Sequence, residues 1–127
     1  MRLEPITDYI EQETDLTNGV DLFTHSMPAG ASTGVLVVTE GAGNRVDHEI
    51  KGIFTGRYQV IVRDKNYGAA TQRAYELFNM LDLVEEDLGV YVVTYSRPRH
   101  TPIPIGGRSN GDLIELSINF EFRYRMT

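Results

Sequence analysis

A chain of 127 residues and 14.3 kDa holds one hydrophobic core and leaves no room for two catalytic domains flanking a cleft. With 41% apolar and 24% charged residues it reads as globular, and no run nears the roughly 20 apolar residues of a membrane helix. Cysteine is absent, which excludes disulfides, thiolate nucleophiles and thiolate metal sites, while the net charge of −6 argues against tight nucleic-acid binding.

The charge is uneven. Residues 1–50 carry nine acids and two bases, and residues 51–127 carry nine acids and ten bases. The N-terminus, Met-Arg-Leu-Glu-Pro-Ile, has no apolar stretch of the secretory kind, so no secretory signal is expected, and the lack of cysteine is compatible with a reducing cytosol.

The elements are expected in the following order. Pro5 suits a first helical turn, and Leu3, Ile6 and Ile10 follow at helical spacing, predicting a helix over 4–14 that Asn18-Gly19 closes off. Val20–His25 reads as a short strand, broken by Met27-Pro28. The β-branched run Val35–Thr39 predicts a buried strand. A polar, glycine-bearing connection spans 40–52, and the alternation of Tyr58, Val60 and Val62 marks the next strand. Ala70, Ala74, Leu77, Phe78 and Leu81 then repeat at the 3.6 period, predicting a helix over 67–83. Glu85-Glu86-Asp87 reads as a loop at its end. Val90–Tyr95 is a further strand. Residues 97–108, with three prolines and two glycines, are expected to be irregular. Over 113–125 the chain alternates strictly. Ile114, Leu116, Ile118, Phe120, Phe122 and Tyr124 lie on one face; Glu115, Ser117, Asn119, Glu121, Arg123 and Arg125 lie on the other, predicting a long antiparallel strand.

No strand–helix alternation supports a parallel sheet. The order predicts one domain over 1–127 of α+β class, an antiparallel or mixed sheet of four to five strands with two helices packed on it.

Catalytic constellations are not recognisable. His25, His48 and His100 are scattered, so neither a zinc site nor a positioned base is expected, and His48-Glu49 reads as a solvated pair. Gly41-Ala42-Gly43 lacks the third glycine of a dinucleotide loop, which falls at Val46. No serine lies in a nucleophile elbow, and Glu85-Glu86-Asp87 lacks the enclosure of a catalytic dyad. No cofactor and no metal are expected.

Surface is what the chain offers instead. The two connections 40–52 and 97–111 exceed the common loop length of roughly 2–6 residues. The first carries Arg45, Asp47 and His48. The second carries Arg97, Arg99, His100 and Arg108 without an acid, a composition suited to bidentate pairing beside apolar anchors. The final strand, longer than the usual roughly 5–6 residues, ends on Arg123 and Arg125 and is expected to reach a neighbouring subunit. Its basic end and the acidic first helix set up head-to-tail pairing, which closes into a ring where the rotation allows. These nine residues are the candidate protein interface.

The N-terminal helix followed by Gly19-Val20-Asp21-Leu22-Phe23, Met27-Pro28 and the strand Val35–Thr39 resembles the start of the tail-terminator and minor capsid proteins of long-tailed bacteriophages. The stretch Gln59-Val60-Ile61-Val62-Arg63-Asp64-Lys65-Asn66-Tyr67-Gly68-Ala69-Ala70 resembles that family's strand, turn and alanine-rich helix, and the alternating C-terminal strand matches too. The resemblance implies a virion protein at the head-proximal end of the tail, made in the host cytoplasm, with a sheet flanked by two helices. It implies a hexameric ring that caps the tail tube, stops its polymerisation and offers a surface for head joining, with no enzyme activity. The partners it implies are copies of itself, the tail tube protein and a head-completion or neck protein. DNA would pass through the lumen without specific binding, past a wall where acids outnumber bases. A neck or tail-completion protein is the neighbouring reading, and a small-ligand α+β module a more distant one.

Overall fold

The computed structural model describes residues 2–41, 43–105 and 113–126. In chain order these form α1 (Glu4–Glu13), β1 (Leu22–Thr24), β2 (Gly34–Thr39), β3 (Arg45–Val46), β4 (Ile53–Asp64), α2 (Tyr67–Met80), β5 (Leu83–Asp87), β6 (Tyr91–Pro98), β7 (Ile103–Pro104) and β8 (Ile114–Met126). The class is α+β, with a mixed sheet and two helices as expected. The strand count is higher, at eight.

The sheet runs β1-β2-β4-β8-β6-β5, with β3 against β4 and β7 against β8. Among the strands of the described residues, β1 and β2 pair in parallel and the other pairs are antiparallel. The spine is the β4–β8 ladder, in register from Ile53 opposite Arg125 to Asp64 opposite Ile114. Burial alternates along most of both strands, and a one-residue slip would turn most of the buried apolar side chains to the wrong face.

One face of the sheet is dry. Val35, Val37, Tyr58, Val60, Val62, Val93, Leu116, Ile118, Phe120 and Phe122 are all at most 2% exposed there, under α1 and α2. Helix α1 begins with Pro5 in its first turn and buries Ile6 and Ile10. In α2 the Asn66 side chain accepts from the Ala69 N–H at 2.9 Å, capping the N-terminus. The small residues Ala70 and Ala74, with Leu77, form its buried stripe. Arg73 ties α2 to the segment after α1 through Asp15 at 2.8 Å. That guanidinium holds the Asp15 carboxyl below the usual carboxylate range.

Four expectations are corrected. Helix α2 stops at Met80, so the acids Glu85, Glu86 and Asp87 belong not to a helix-end loop but to edge strand β5. Edge strands carry charge readily, because it discourages pairing with a foreign strand. The proline-rich segment is partly regular: Pro98 closes β6 and Pro104 lies in β7. Strand β5 begins at Leu83, opposite Ser96, so among the described residues no strand pairs with the outer side of β6 at Pro98, and no ladder donor is needed there. Arg99 and Ile105 on either side donate to the carbonyls of Asn119 and Glu115 at 2.8 and 2.9 Å. Lastly, β8 does not extend beyond its own sheet. It is central, with β4 along one side and β6 and β7 along the other.

Candidate interaction surface

The face of the sheet without helices is the polar one, and alternation puts its residues there. The buried partners Tyr58 and Tyr124 point into the core, so Arg57, Arg123 and Arg125 point out. Among the described residues seven arginines reach this face: Arg45, Arg57, Arg63, Arg97, Arg99, Arg123 and Arg125. Four carboxylates join them: Glu40, Asp47, Glu115 and Glu121.

Every one of those acids is already engaged inside the chain. Arg123 Nη2 donates to Asp47 Oδ2 at 2.7 Å, and its Nη1 to Thr55 Oγ1 at 3.3 Å. Arg63 pairs with Glu115 at 3.1 Å. Arg99 pairs with Glu40 at 3.3 Å, joining the end of β6 to the end of β2. The Tyr95 hydroxyl donates to Glu121 Oε2 at 3.0 Å, and the Arg97 guanidinium lies 3.9 Å from the Tyr95 ring centroid. Among the described residues, Arg45, Arg57, Arg97 and Arg125 have no carboxylate at ion-pair distance, and all four are exposed. A cleft bounded by Arg45, Arg57, Glu40 and Glu121 opens on this face over Gly41, Gly43 and Gly56. A Cβ at Gly56 would displace the Asn44 amide, which donates to the Tyr124 hydroxyl at 2.6 Å and anchors the connection.

The nine candidate residues therefore divide. Arg45, Arg97, Arg99, Arg123 and Arg125 share the face. Asp47 is consumed by its loop. Its Oδ1 accepts from the backbone N–H groups of Glu49 and Ile50, each at 2.8 Å. Those bonds, with the one from Arg123, hold the Asp47 carboxyl at about 2. His48 is exposed beside it. His100 serves the fold: its Nε2 accepts from the Asn119 N–H at 3.3 Å, so Nδ1 carries the proton and donates to the Thr101 carbonyl at 2.7 Å. Arg108 lies outside the described residues. Sequence reasoning missed Arg57, Glu40, Glu121 and Tyr95. Arg57 and Glu121 were findable, since they alternate with buried Tyr58 and Phe122; Glu40 and Tyr95 reach the cluster only through strand pairing.

A carboxyl held low contributes stability above its unfolded value and loses it as the pH falls through the folded one. The amide signals of Glu49 and Ile50 are accordingly expected to hold steady above pH 4 and to titrate with a midpoint of about 2, not 3.8. A midpoint near 3.8 by NMR would show that the carboxyl is not bound to them.

Among the described residues no convergent catalytic set accompanies this face. A larger groove runs between α2 and β2, but its two arginines are tied up, Arg63 with Glu115 and Arg73 with Asp15 and Glu76. Among the described residues no three His, Asp or Glu side chains converge on a metal position. No helix there is long and apolar enough to cross a membrane. The class this defines is an α+β domain whose distinctive chemistry is surface charge.

Residues 9–125 match the family model of the bacteriophage tail terminator protein, and the chain belongs to that family. It is a structural component of the virion. Its fold is similar to that of a chain in the virion of a native gene transfer agent particle. The TM-score is 0.64 at 15% identity, over 84% of this chain and 80% of that one. A second solved chain aligns over 100% of this one and 96% of its own at 16% identity, with a TM-score of 0.49. No curated protein sequence matches.

Proposed function

We propose that the chain, acting as one domain, assembles as a hexameric ring on the head-proximal end of the tail tube, stops tube growth and presents the surface to which the head joins. The observation that carries this reading is the tail-terminator match across residues 9–125. The exposed arginines supply contacts for the assembly, and no catalytic step enters the role. The segments 40–52 and 97–108 divide between them the contacts with the tube and with a neighbouring copy or a neck protein, with Arg97, Arg99 and Arg108 as the bases of the second. DNA passes through the ring unbound, along a wall where carboxylates outnumber bases, because the chain carries −6 overall.

The test is electron microscopy of the protein mixed with isolated tail tubes. A ring of density at one tube end is expected. Binding to empty head portals and not to tubes would move the protein to the neck. Reversing Arg97 and Arg99 to glutamate is expected to lower the fraction of capped tubes at least about tenfold, since like charges at an interface cost several kcal/mol. Unchanged capping would remove 97–108 from the contact.

A further inference from the structure

The sheet face and the sheet edge carry opposite uncompensated charge. Arg45, Arg57, Arg97 and Arg125 stand exposed on the helix-free face with no ion-pair partner among the described residues. All are arginines, whose planar fork matches a carboxylate with two parallel hydrogen bonds. The Arg97 guanidinium is held in place on the Tyr95 ring, which lowers the entropy lost on pairing.

At the end of the sheet, β5 presents Glu85, Glu86 and Asp87 in consecutive positions, again with no cation at ion-pair distance among the described residues. Glu86 and Glu13 both lie close enough to push the Tyr9 hydroxyl up, after its burial, so α1 extends the acidic edge. Val84, 76% exposed between Leu83 and Glu85, gives that edge an apolar anchor. Glu85 has φ of +50°, which kinks β5 and disfavours simple strand addition. Contact through side chains remains.

We propose that the occupant of the arginine face is a second copy of this chain, bound through the acidic β5 edge: Glu85 and Glu86 of one copy pair with Arg45 and Arg57 of the next. The charge complementarity of the two surfaces carries the assignment. They are different patches, so the contact is heterologous and repeats from copy to copy. The inference rests on the ring reading above and names the surfaces that build it.

Two variants test it, R45E/R57E and E85R/E86R, each in the full chain. Capping of isolated tail tubes is scored by electron microscopy, and self-association of the free chain by sedimentation. Each variant alone is expected to associate at least about tenfold more weakly than wild type, because every contact becomes like against like. An equimolar mixture is expected to recover, since alternating copies satisfy every contact in an even-membered ring. The fourfold variant R45E/R57E/E85R/E86R is expected to recover alone. Thermal melts check folding, and R45Q/R57Q with E85Q/E86Q stand in for any variant that melts early, with a smaller loss expected. Full association by either reversal, or no recovery in the mixture and the fourfold variant when both are folded, overturns the pairing. Retention of duplex DNA by wild type that is lost in R45E/R57E also overturns it, by giving the face to phosphate. Rings that cap normally in every variant refute the surfaces and leave the terminator reading standing. Absence of wild-type caps refutes that reading, and sedimentation then decides the pairing by itself.

Discussion

Replacing Phe122 with alanine is expected to destabilise the domain by about 3–5 kcal/mol, the usual cost of emptying a fully buried aromatic site. Phe122 is 0% exposed. Its ring stacks on Tyr124 at 4.8 Å, meets Tyr58 edge-on at 5.4 Å and lies 6.2 Å from Tyr91. These four rings come from β4, β6 and β8, so the cavity would open where three strands are held together, and neighbouring strands give it little room to collapse. For a chain of this size the melting temperature should fall by roughly 10–20 °C. Thermal unfolding followed by circular dichroism measures it, with Tyr67→Ala, at 55% exposure, as a control expected to stay within about 0.5 kcal/mol of wild type. A loss below about 1 kcal/mol for Phe122→Ala would show that the aromatic cluster is not where the core is placed.

Tyr58→Phe is expected to cost about 1–3 kcal/mol, despite removing one atom. The Tyr58 hydroxyl and the Ser96 hydroxyl are 2.7 Å apart, and the two residues are 1% and 2% exposed. Deleting either leaves the other buried without a partner. Ser96→Ala should therefore cost a similar amount, and the double variant less than the two together, by a coupling of about 0.5–3 kcal/mol. Strict additivity in urea unfolding would mean that the hydroxyls do not bond. Burial pushes the Tyr58 and Tyr91 phenols up. A raised folded value gives stability that is whole below the unfolded value of 10.0 and is lost as the pH rises past it, so alkaline unfolding should set in above pH 10.

Both predictions rest on positions that the sequence marks plainly. The period-two run ending in Phe120, Phe122 and Tyr124 needs no partner to be recognised, because alternation is a property of a single strand. The 3.6-period stripe of α2 is likewise local. Strand β5 was not legible: Leu83–Asp87 has neither alternation nor β-branched richness, and it is a strand because β6 supplies its hydrogen bonds. Pro98 and Pro104 argued against strands, and what admits them is an open outer edge, which is a fact about neighbours. The interaction surface divides the same way. Its arginines were visible as a basic run, but Glu40 and Asp47 lie 59 and 76 positions from Arg99 and Arg123, and only folding reveals that they neutralise them.

The sequence by itself determined which residues could be dry, because hydrophobic periodicity is written residue by residue, and with it the α+β class and the two helices. Only the tertiary structure decided which charges are spent. An ion pair depends on distance across the sheet, and the β4–β8 register, set by apolar burial on the opposite face, selects the arginines left open to a partner.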